Sequence, residues 1–408
     1  MDYRIEMLWA GLILTAVLVI FTFGKSPLFR VDRAGAAIIG AVAMIGSGVL
    51  SFNEATTAVD YKTIIILFSM MILVANLKLA GFFELVGNAV CQRVNNKKQL
   101  LCAIVMVSGI MSAFAINDII CLLFTPVVVL ICRKFQCNPL PHLLGVAMAS
   151  NVGSASTLLG NPQNILVGSL SGMSFTAYFL TAAPVALGGL IAVYVVIAYY
   201  FRAELEGSCS ASALGCSNVH TYLISKSMVA FILVLASYIV GYDLAFASSL
   251  GGALLLITRR IKPNKVYSSV DFNLLIIFIG LFVIVNGVER SGLMTFVFER
   301  LSFSSFKSME MFAAVTLAVS NIVSNVPAVL LMKYLIPGVN AEYWWKGLAL
   351  FSTLAGNLTI TGSIANLIVV EIAKREHIKI NAWDYFKVGF PLTLFTTAIG
   401  VLWLYCLV

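Results

Sequence analysis

Charged residues are scarce in this 408-residue chain. Asp, Glu, Lys and Arg together supply 11% of the sequence, whereas hydrophobic residues supply 60%. Soluble globular domains use about 25% charged residues and about 45–50% apolar residues. The composition therefore excludes a soluble protein and indicates one that lies in a lipid bilayer.

Clusters of histidine and cysteine are also lacking. The three His residues, His142, His220 and His377, stand apart in the sequence near predicted loops, and we find no metal-site spacing. The eight Cys residues lie mostly in apolar runs, which disfavours a disulfide framework. Cys209 and Cys216, in a polar segment, are the only pair that suggests a disulfide. We predict no metal site, no catalytic group and no enzymatic activity.

A complete phosphate-binding loop is missing as well. Gly24-Lys25-Ser26 matches the end of that motif, but the motif needs a Gly where the chain has Val19. The formal charge of +8 comes without a basic stripe interleaved with aromatic residues, so nucleic acid is not an expected partner. We predict no cofactor, a proton or sodium gradient as the driving force, and a small inorganic or organic ion as the substrate. A homodimer or an association with an ATPase subunit stays open.

Apolar runs of about twenty residues recur along the chain, and each is long enough to cross a hydrocarbon core about 30 Å thick. We predict five crossings in each half of an all-α polytopic protein. The first five are Leu8 to Phe23, Ala34 to Leu50, Ile64 to Ala80, Leu143 to Leu170 and Phe175 to Tyr200. The second five are Ser225 to Val240, Ala245 to Ile257, Phe272 to Val288, Gly347 to Glu371 and Trp383 to Leu407. No small-residue cleavage site follows Phe23, so the first run is predicted to be a retained helix.

Two further apolar segments, 100–131 and 309–335, are too long for a simple crossing and carry polar residues at their middles. We predict that each is a re-entrant hairpin of two half-helices. If both termini lie outside the cytoplasm and both hairpins re-enter the membrane, the loops on the cytoplasmic side hold 19 of the 26 Lys and Arg residues. This imbalance agrees with the positive-inside rule and places the protein in a cell membrane.

The two halves resemble each other. Asp60-Tyr61-Lys62 through Gly81-Phe82 aligns without gaps to Asp271-Phe272-Asn273 through Gly292-Leu293, and Thr157 to Asn164 aligns to Thr359 to Asn366. An odd number of crossings in each half gives the halves opposite orientations. The predicted units are a first inverted repeat 1–200, a cytoplasmic linker 201–222 and a second inverted repeat 223–408. Their parts are scaffold helices 8–80 and 225–288, hairpins 100–131 and 309–335, and broken helices 143–170 and 347–371.

The interruptions predict a binding site. A helix can stop inside the membrane only where protein, ligand or water satisfies its backbone, and repeat-related interruptions are typical of transporter sites near the midplane. Four half-helix N-termini would offer N–H donors and a positive dipole field to an anion or a polar solute. The candidate substrate-binding residues are Asn117, Asn161, Asn164, Ser324, Asn325, Thr361, Ser363 and Asn366. The alternative is interhelical hydrogen bonding by the Asn residues and bonding of Thr to its own helix.

The broken helices carry local start signals. Gly160 allows a turn, Asn161 is a good N-cap, and Pro162 fits the first helical position. Ser363, which follows Gly362, is expected to serve as the equivalent N-cap in the second half.

Asp118 is the only acidic residue predicted deep within an apolar segment. A charge at that depth costs about 2.5–3.5 kcal/mol on insertion scales and usually marks function. We predict that Asp118 carries the coupled proton or helps to hold a coupled cation; the alternative is a carboxylate that only caps a helix. Cys121, one turn later, is better explained as a buried apolar cysteine than as a substrate ligand.

The motifs around these breaks resemble the ArsB/NhaD-type ion transporter superfamily, which is related to citrate and dicarboxylate carriers. The resemblance spans essentially the whole chain. It is carried by Ser112 through Asp118 with Thr125-Pro126, by Asn151-Val152-Gly153 through Asn164, by Asp271 through Gly292, by Ser324-Asn325-Val326-Pro327 and by Thr359 through Ser363.

The resemblance implies scaffold helices around two hairpins and two broken helices, with elevator-like alternating access. Asn117-Asp118 followed by Thr125-Pro126 is most similar to arsenite and antimonite permeases, which implies efflux in exchange for protons. Gly160-Asn161-Pro162-Gln163-Asn164 is closer to a general anion permease. Transport of another anion or carboxylate, or sodium/proton exchange, therefore stays open, and a sensor or assembly scaffold without transport is disfavoured because no sizeable soluble domain is present.

Overall fold

The computed structural model describes residues 3–24, 29–208, 219–258, 260–300 and 306–407. In these ranges the chain forms twenty α-helices and no β-strand. The predicted all-α class is thus confirmed. Cys209 and Cys216 lie outside the described residues, as does the whole segment 209–218 of the linker that contains them.

The first half contains ten helices. They are α1 (Tyr3–Phe23), α2 (Arg33–Gly46), α3 (Phe52–Thr57), α4 (Tyr61–Leu79), α5 (Phe82–Arg93), α6 (Lys97–Phe114), α7 (Asn117–Lys134), α8 (Leu140–Ser154), α9 (Pro162–Ser171) and α10 (Phe175–Tyr200).

The second half repeats this order. Its helices are α11 (Thr221–Val240), α12 (Leu244–Leu256), α13 (Pro263–Tyr267), α14 (Phe272–Arg290), α15 (Leu293–Arg300), α16 (Met309–Val323), α17 (Asn325–Met332), α18 (Ala341–Leu354), α19 (Ile364–Arg375) and α20 (Ala382–Cys406). Short 3₁₀ turns at Lys333–Leu335, Ala355–Asn357 and Ile360–Gly362 join parts of the last elements.

Seven of the described helices are long and apolar enough to cross a membrane: α1, α4, α6, α10, α11, α14 and α20. The crossings predicted near Ala34 and Ala245 correspond to the shorter apolar helices α2 and α12. The remaining two predicted crossings are interrupted. One consists of α8 followed by α9, and the other consists of α18 followed by α19. Polar interruptions therefore divide the long apolar runs where the sequence predicts them.

The scaffold helices begin in the same way in both halves. Asp60 accepts a hydrogen bond from the Lys62 N–H before α4, and Asp271 accepts one from the Leu274 N–H before α14. At the other ends of these helices, Gly81 and Gly292 adopt φ angles of 79° and 70°, which favour glycine. The aligned segments thus start and stop equivalent helices.

Each predicted hairpin consists of two helices joined by a tip of one or two residues. Ala115 and Ile116 join α6 to α7, whereas Ser324 alone joins α16 to α17. Close packing holds hairpin 1 (α6 and α7) against the first broken helix. A Cβ atom added to Gly153 on α8 would lie 2.1 Å from the carbonyl oxygen of Gly109 on α6. The backbones of α6 and α8 therefore touch directly, as small residues permit between membrane helices.

Candidate functional site

The N-terminal ends of four half-helices meet around one cavity. Each of α7, α9, α17 and α19 contributes its first residues, and α14 closes one side. The cavity is lined by Asn117, Asp118, Pro162, Gln163, Leu274, Ser324, Asn325, Val326, Ser363 and Ile364. The helix N-termini therefore direct backbone N–H groups and the positive ends of four dipoles towards a common volume.

The cavity is small. The space open to the centre of a water-sized sphere is about 20 Å³. One such sphere needs roughly 10–15 Å³, so this conformation admits only a water or a compact solute.

Asn117 makes hydrogen bonds that hold the structure together and also has a side-chain oxygen to which no described residue donates a hydrogen bond. Its backbone N–H donates to the Gly160 carbonyl at 2.9 Å, which joins hairpin 1 to the break between α8 and α9. Its side-chain Nδ2 donates to Asn151 Oδ1 at 3.0 Å. Oδ1 of Asn117 is buried and has no hydrogen-bond partner among the residues that the structure describes. An unpaired buried acceptor costs roughly 1–3 kcal/mol, and at a cavity wall a bound O–H or N–H group would satisfy it.

Asp118 is the second residue of α7 and does not cap that helix, whose N-cap position is Ile116. Asp118 is half-buried and lines the cavity, and its carboxyl faces the backbone N–H of Ala365, the second residue of α19. Asp271 and Arg33 are the charged groups that act on this carboxyl through space. A carboxylate is favourable near helix N-termini, and here two such ends are close to it.

The tip of hairpin 2 (α16 and α17) is conformationally unusual. Ser324 has φ 75° and ψ 160°, a region that residues other than glycine rarely adopt and that costs about 1–3 kcal/mol. The next residue, Asn325, is fixed by several bonds. In the amide orientation that satisfies its neighbours, Nδ2 donates to the carbonyls of Ser352 and Gly362, and Oδ1 accepts from Gln163 Nε2 at 3.1 Å. The tip is therefore tied to both breaks.

Asn161 and Ser363 start equivalent half-helices in different ways. Asn161 caps α9 as predicted, because its Oδ1 accepts from the Asn164 N–H at 2.9 Å. The prediction that Ser363 caps α19 with its side chain is wrong. The Ser363 hydroxyl instead donates to Asn151 Oδ1 at 3.1 Å, since the bond across the repeat interface competes successfully with the local cap.

Gly160 lies in the bend between α8 and α9, where the sequence predicts a turn. Its φ angle is not positive, so it supplies no left-handed turn. A Cβ atom at this position would lie 2.2 Å from the Ser154 carbonyl oxygen. Gly160 is thus needed because the chain folds back tightly on the end of α8.

Asn164 and Asn366 lie behind the cavity wall and are fully buried. Asn164 donates to the carbonyls of Ser154 and Thr157, at 3.4 and 2.9 Å. Asn366 donates to those of Gly356 and Thr359, at 2.7 and 3.2 Å. These bonds bridge each break between two half-helices. This geometry corresponds to interhelical bonding, and neither residue lines the cavity.

Thr361 and Cys121 also lie away from the cavity wall. Thr361 is exposed on a 3₁₀ turn, where its hydroxyl is 3.3 Å from that of Thr359. Cys121 is fully buried with its sulfur 3.0 Å from the Ser150 hydroxyl. Of the nine predicted site residues, five line the cavity: Asn117, Asp118, Ser324, Asn325 and Ser363.

Sequence reasoning missed the residues that link the two repeats. Asn151 on α8 donates to Asn357 Oδ1 and Asn366 Oδ1, at 2.9 and 3.0 Å. Thr353 on α18 donates to Asn164 Oδ1 at 3.1 Å and accepts from Asn161 Nδ2 at 2.9 Å. At the offset of 202 that relates the broken helices, Asn151 corresponds to Thr353. Extending the repeat alignment backwards would have identified this pair.

This arrangement of crossing helices, paired breaks and a cavity at their centre defines a membrane transporter. The family model described as CitMHS, citrate transporter, matches residues 16–346. The chain therefore belongs to this family of transporters.

Several curated proteins are similar over nearly their whole length. The silicon efflux transporter LSI3 of Oryza sativa subsp. japonica is 26% identical, covering 93% of this chain and 93% of that protein. A transporter designated arsB in Dictyostelium discoideum is 25% identical, covering 91% and 87%. The inner membrane protein YbiR of Escherichia coli is 25% identical, covering 84% and 87%.

A solved structure shares the fold. The Alcanivorax borkumensis YdaH transporter, whose crystal structure was described as having an unusual topology, aligns with a TM-score of 0.58 at 11% identity. The alignment covers 100% of this chain and 99% of that one. This likeness concerns the architecture alone.

Proposed function

We propose that the chain is a secondary active exporter of a small, neutral hydroxo-acid in exchange for protons, with arsenous and antimonous acid as the first solutes to test. The observation that carries this proposal is the composition of the cavity wall. Amide and hydroxyl groups from Asn117, Ser324, Asn325 and Ser363 surround one carboxyl, that of Asp118. Such groups pair well with the hydroxyls of an uncharged acid.

The size and charge of the cavity favour this solute class over citrate. Among the described residues that line the cavity there is no Lys or Arg, and the one ionisable residue is acidic. A tricarboxylate would need compensating cations and far more room than about 20 Å³. The curated relatives include proteins named for silicon efflux and for arsB, which supports a hydroxo-acid as well.

Coupling follows from competition at Asp118. An ionised carboxylate accepts hydrogen bonds from solute hydroxyls, whereas a protonated carboxyl loses part of that capacity and gains a donor. Proton binding and solute binding at the same group would therefore exclude each other. Two substrates that compete for one movable site are exchanged across the membrane, which is antiport.

Contacts between hairpins and scaffold support elevator-like movement. If loop 29–32 is cytoplasmic, as the Lys and Arg distribution predicts, hairpin 2 reaches the cytoplasmic end of α1, where the Thr22 hydroxyl donates to the Ile322 carbonyl at 2.7 Å. Hairpin 1 contacts the middle of α11, where the rings of Phe114 and Phe231 lie 6.4 Å apart. The cavity also abuts Leu274, in the first turn of α14. We infer an inward-facing state.

Inverted-repeat symmetry then gives the expected opposite state. At the offset of 211, the position equivalent to Leu274 is Thr63 in the first turn of α4. In the outward-facing state we expect the cavity to lie beside Thr63, with hairpin 1 reaching the far end of α11. The double substitution Thr22→Cys with Ile322→Cys should therefore form a disulfide on oxidation. That disulfide should lock the carrier in this state and stop flux.

Flux in everted membrane vesicles tests the function. An imposed proton gradient should drive accumulation of arsenite or antimonite, and silicic acid, citrate, phosphate and sodium complete the panel. Asp118→Asn should reduce gradient-driven uptake to background, while Glu371→Gln, on the exposed end of α19, should not. Uptake of citrate alone, or a strict sodium requirement, would overturn the proposal in favour of the carboxylate or sodium-coupled alternative.

A further inference from the structure

A second group of ligand-type side chains lies at the loop-side end of hairpin 1, outside the central cavity. Cys132 near the end of α7, Cys137 in the following loop and His142 in the first turn of α8 have their sulfur and nitrogen ligand atoms within 4.8 Å of one another. Both sulfurs are thiols. The sequence-based prediction that His142 is isolated is therefore wrong, because the loop folds it onto two cysteines.

The local chain geometry explains why the two thiols meet. Gln136 adopts φ 48° after the end of α7, and its N–H donates to the Arg133 carbonyl at 3.2 Å. The Cys137 N–H donates to the Cys132 carbonyl at 3.0 Å. These two bonds form a Schellman motif, which often brings together side chains at the two positions that the cysteines occupy. The thiol pair alone is accounted for by this helix end.

His142 is not accounted for in this way. Its imidazole is fully buried, and Nδ1 lies 3.1 Å from the Asn138 carbonyl oxygen. Nε2 is buried without a hydrogen-bond partner of good geometry among the described residues, although the backbone of Lys97 lies close to the ring. When Nδ1–H donates to a backbone carbonyl, Nε2 carries the lone pair. That tautomer is the usual one for a metal-binding histidine, whose other nitrogen is held by a carbonyl or carboxylate.

We propose that Cys132, Cys137 and His142 bind a thiophilic metal ion of the Zn²⁺ class, with a fourth position open to water or another ligand. Two thiolates and one imidazole are a set that suits zinc. At ordinary Zn–S and Zn–N lengths, tetrahedral ligand atoms lie about 3.6–3.8 Å apart, so the three groups need to approach by roughly 1 Å. Small side-chain rotations of two cysteines and one imidazole can supply that movement.

The position of this site gives the metal a mechanical role. The ligands come from α7, from the 135–139 loop and from α8, so a bound ion would join hairpin 1 to the first broken helix at their shared end. Two thiolates would neutralise the charge of a divalent cation. We therefore expect zinc to stabilise the contact between α7 and α8 without entering the transport cavity.

Metal binding to the purified full-length protein tests the proposal without any transport measurement. The starting protein carries Cys209→Ser and Cys216→Ser, which removes the two polar-segment cysteines. After treatment with a chelator, it should take up one equivalent of Zn²⁺ in competition with a chromophoric chelator. Co²⁺ should give the thiolate charge-transfer and ligand-field absorption typical of a tetrahedral site with sulfur ligands.

Variants then assign the ligands. In that background, Cys132→Ser, Cys137→Ser and His142→Gln should each bind Zn²⁺ about tenfold or more weakly, since loss of an outer partner alone costs 10–100-fold. Cys102→Ser, which replaces an exposed cysteine of α6, should bind like the parent. The proposal is overturned if the parent takes up no Zn²⁺, or if Cys137→Ser and His142→Gln bind it as tightly as the parent. The parent cobalt spectrum decides the question even if a variant fails to fold.

Discussion

Asn164 and Asn366, 202 positions apart, make matching sets of hydrogen bonds in the two broken helices. Each Nδ2 donates to two carbonyls of its own break, and each Oδ1 accepts from α8 or α18 of the other half, from Thr353 at 3.1 Å and from Asn151 at 3.0 Å. Two chain segments with different sequences thus preserve the same polar connections. These connections hold the two breaks together and so shape the cavity between them.

Asn151 should be the most sensitive single position of this network. It bonds to the side chains of Asn117, Asn357, Asn366 and Ser363. At about 0.6 kcal/mol for each hydrogen bond between membrane helices, Asn151→Ala should lower the free energy of unfolding by about 2–3 kcal/mol. Reversible unfolding in mixed micelles measures this change.

The neighbouring variant Ser150→Ala is the matched control for Asn151→Ala. Ser150 lies on the same helix, and its hydrogen bonds within the described part of the chain are to the Ala147 carbonyl and the Cys121 sulfur. We expect a loss of less than about 1 kcal/mol there. Equal losses at positions 150 and 151 would show that Asn151 is not the centre of the network.

Gly153→Ala should separate hairpin 1 from the first broken helix. The added methyl would have to lie 2.1 Å from the Gly109 carbonyl oxygen, and backbone cannot rotate away as a side chain can. Overpacking of this kind typically costs 1–3 kcal/mol and shifts the backbone, so thermal stability and flux should both fall. Gly46→Ala, which has open space around the new methyl, is the control and should leave both stability and flux nearly unchanged. If Gly153→Ala also changed neither, that result would contradict the close approach of α6 and α8.

Ser324→Gly should stabilise the protein. Glycine adopts φ 75° and ψ 160° without the penalty that serine incurs, which is about 1–3 kcal/mol. A thermal unfolding experiment should therefore show a higher midpoint for Ser324→Gly than for Ser324→Ala, which keeps the strain. A lower midpoint for the glycine variant would mean that the tip of hairpin 2 is not strained. If strain at the tip contributes to solute binding, the stabilised variant should also have a raised KM.

The ion pair between Lys62 and Asp243 should depend on pH. Their side chains lie 3.0 Å apart between the start of α4 and the start of α12, and both are exposed. The Phe246 N–H and Lys62 lower the pKa of Asp243 below its ordinary value. The stabilisation is thus present above the ordinary Asp pKa and is lost as the pH falls through the lowered one.

Asp243→Asn tests that dependence. At neutral pH the variant should be less stable than the parent by at most about 1 kcal/mol, as is usual for exposed pairs. The difference should shrink when unfolding is measured at the lowest pH the protein tolerates. A difference that grows on acidification would contradict the sign of the shift.

The sequence predicted the breaks well because each has a local chemical cause. Asn161-Pro162 starts α9, and the polar tip at Asn117 interrupts a long apolar run. These local signals located the four N-termini that form the cavity. The side-chain assignments were less complete, because an amide at a helix start can face either a cavity or a neighbouring helix.

Contacts distant in sequence decided the remaining assignments. Ser363 bonds to Asn151 in place of capping α19, and Asn164 bonds to Thr353, 189 residues away. Neither choice can be read from a local pattern. Cys132 and Cys137 meet because Gln136 adopts a left-handed conformation, which glycine or asparagine would have signalled and glutamine does not.

The modification of Asp118 by a hydrophobic carbodiimide tests the central claim most directly, since it reports on the carboxyl that lines the cavity. Membrane vesicles that transport the solute are treated with the carbodiimide, once in the presence and once in the absence of a saturating concentration of the solute. Mass spectrometry then measures the modified fraction of Asp118 and of exposed Glu371. We predict that solute slows modification of Asp118 severalfold and leaves Glu371 unaffected. Equal modification of Asp118 with and without a transported solute would show that the solute binds elsewhere.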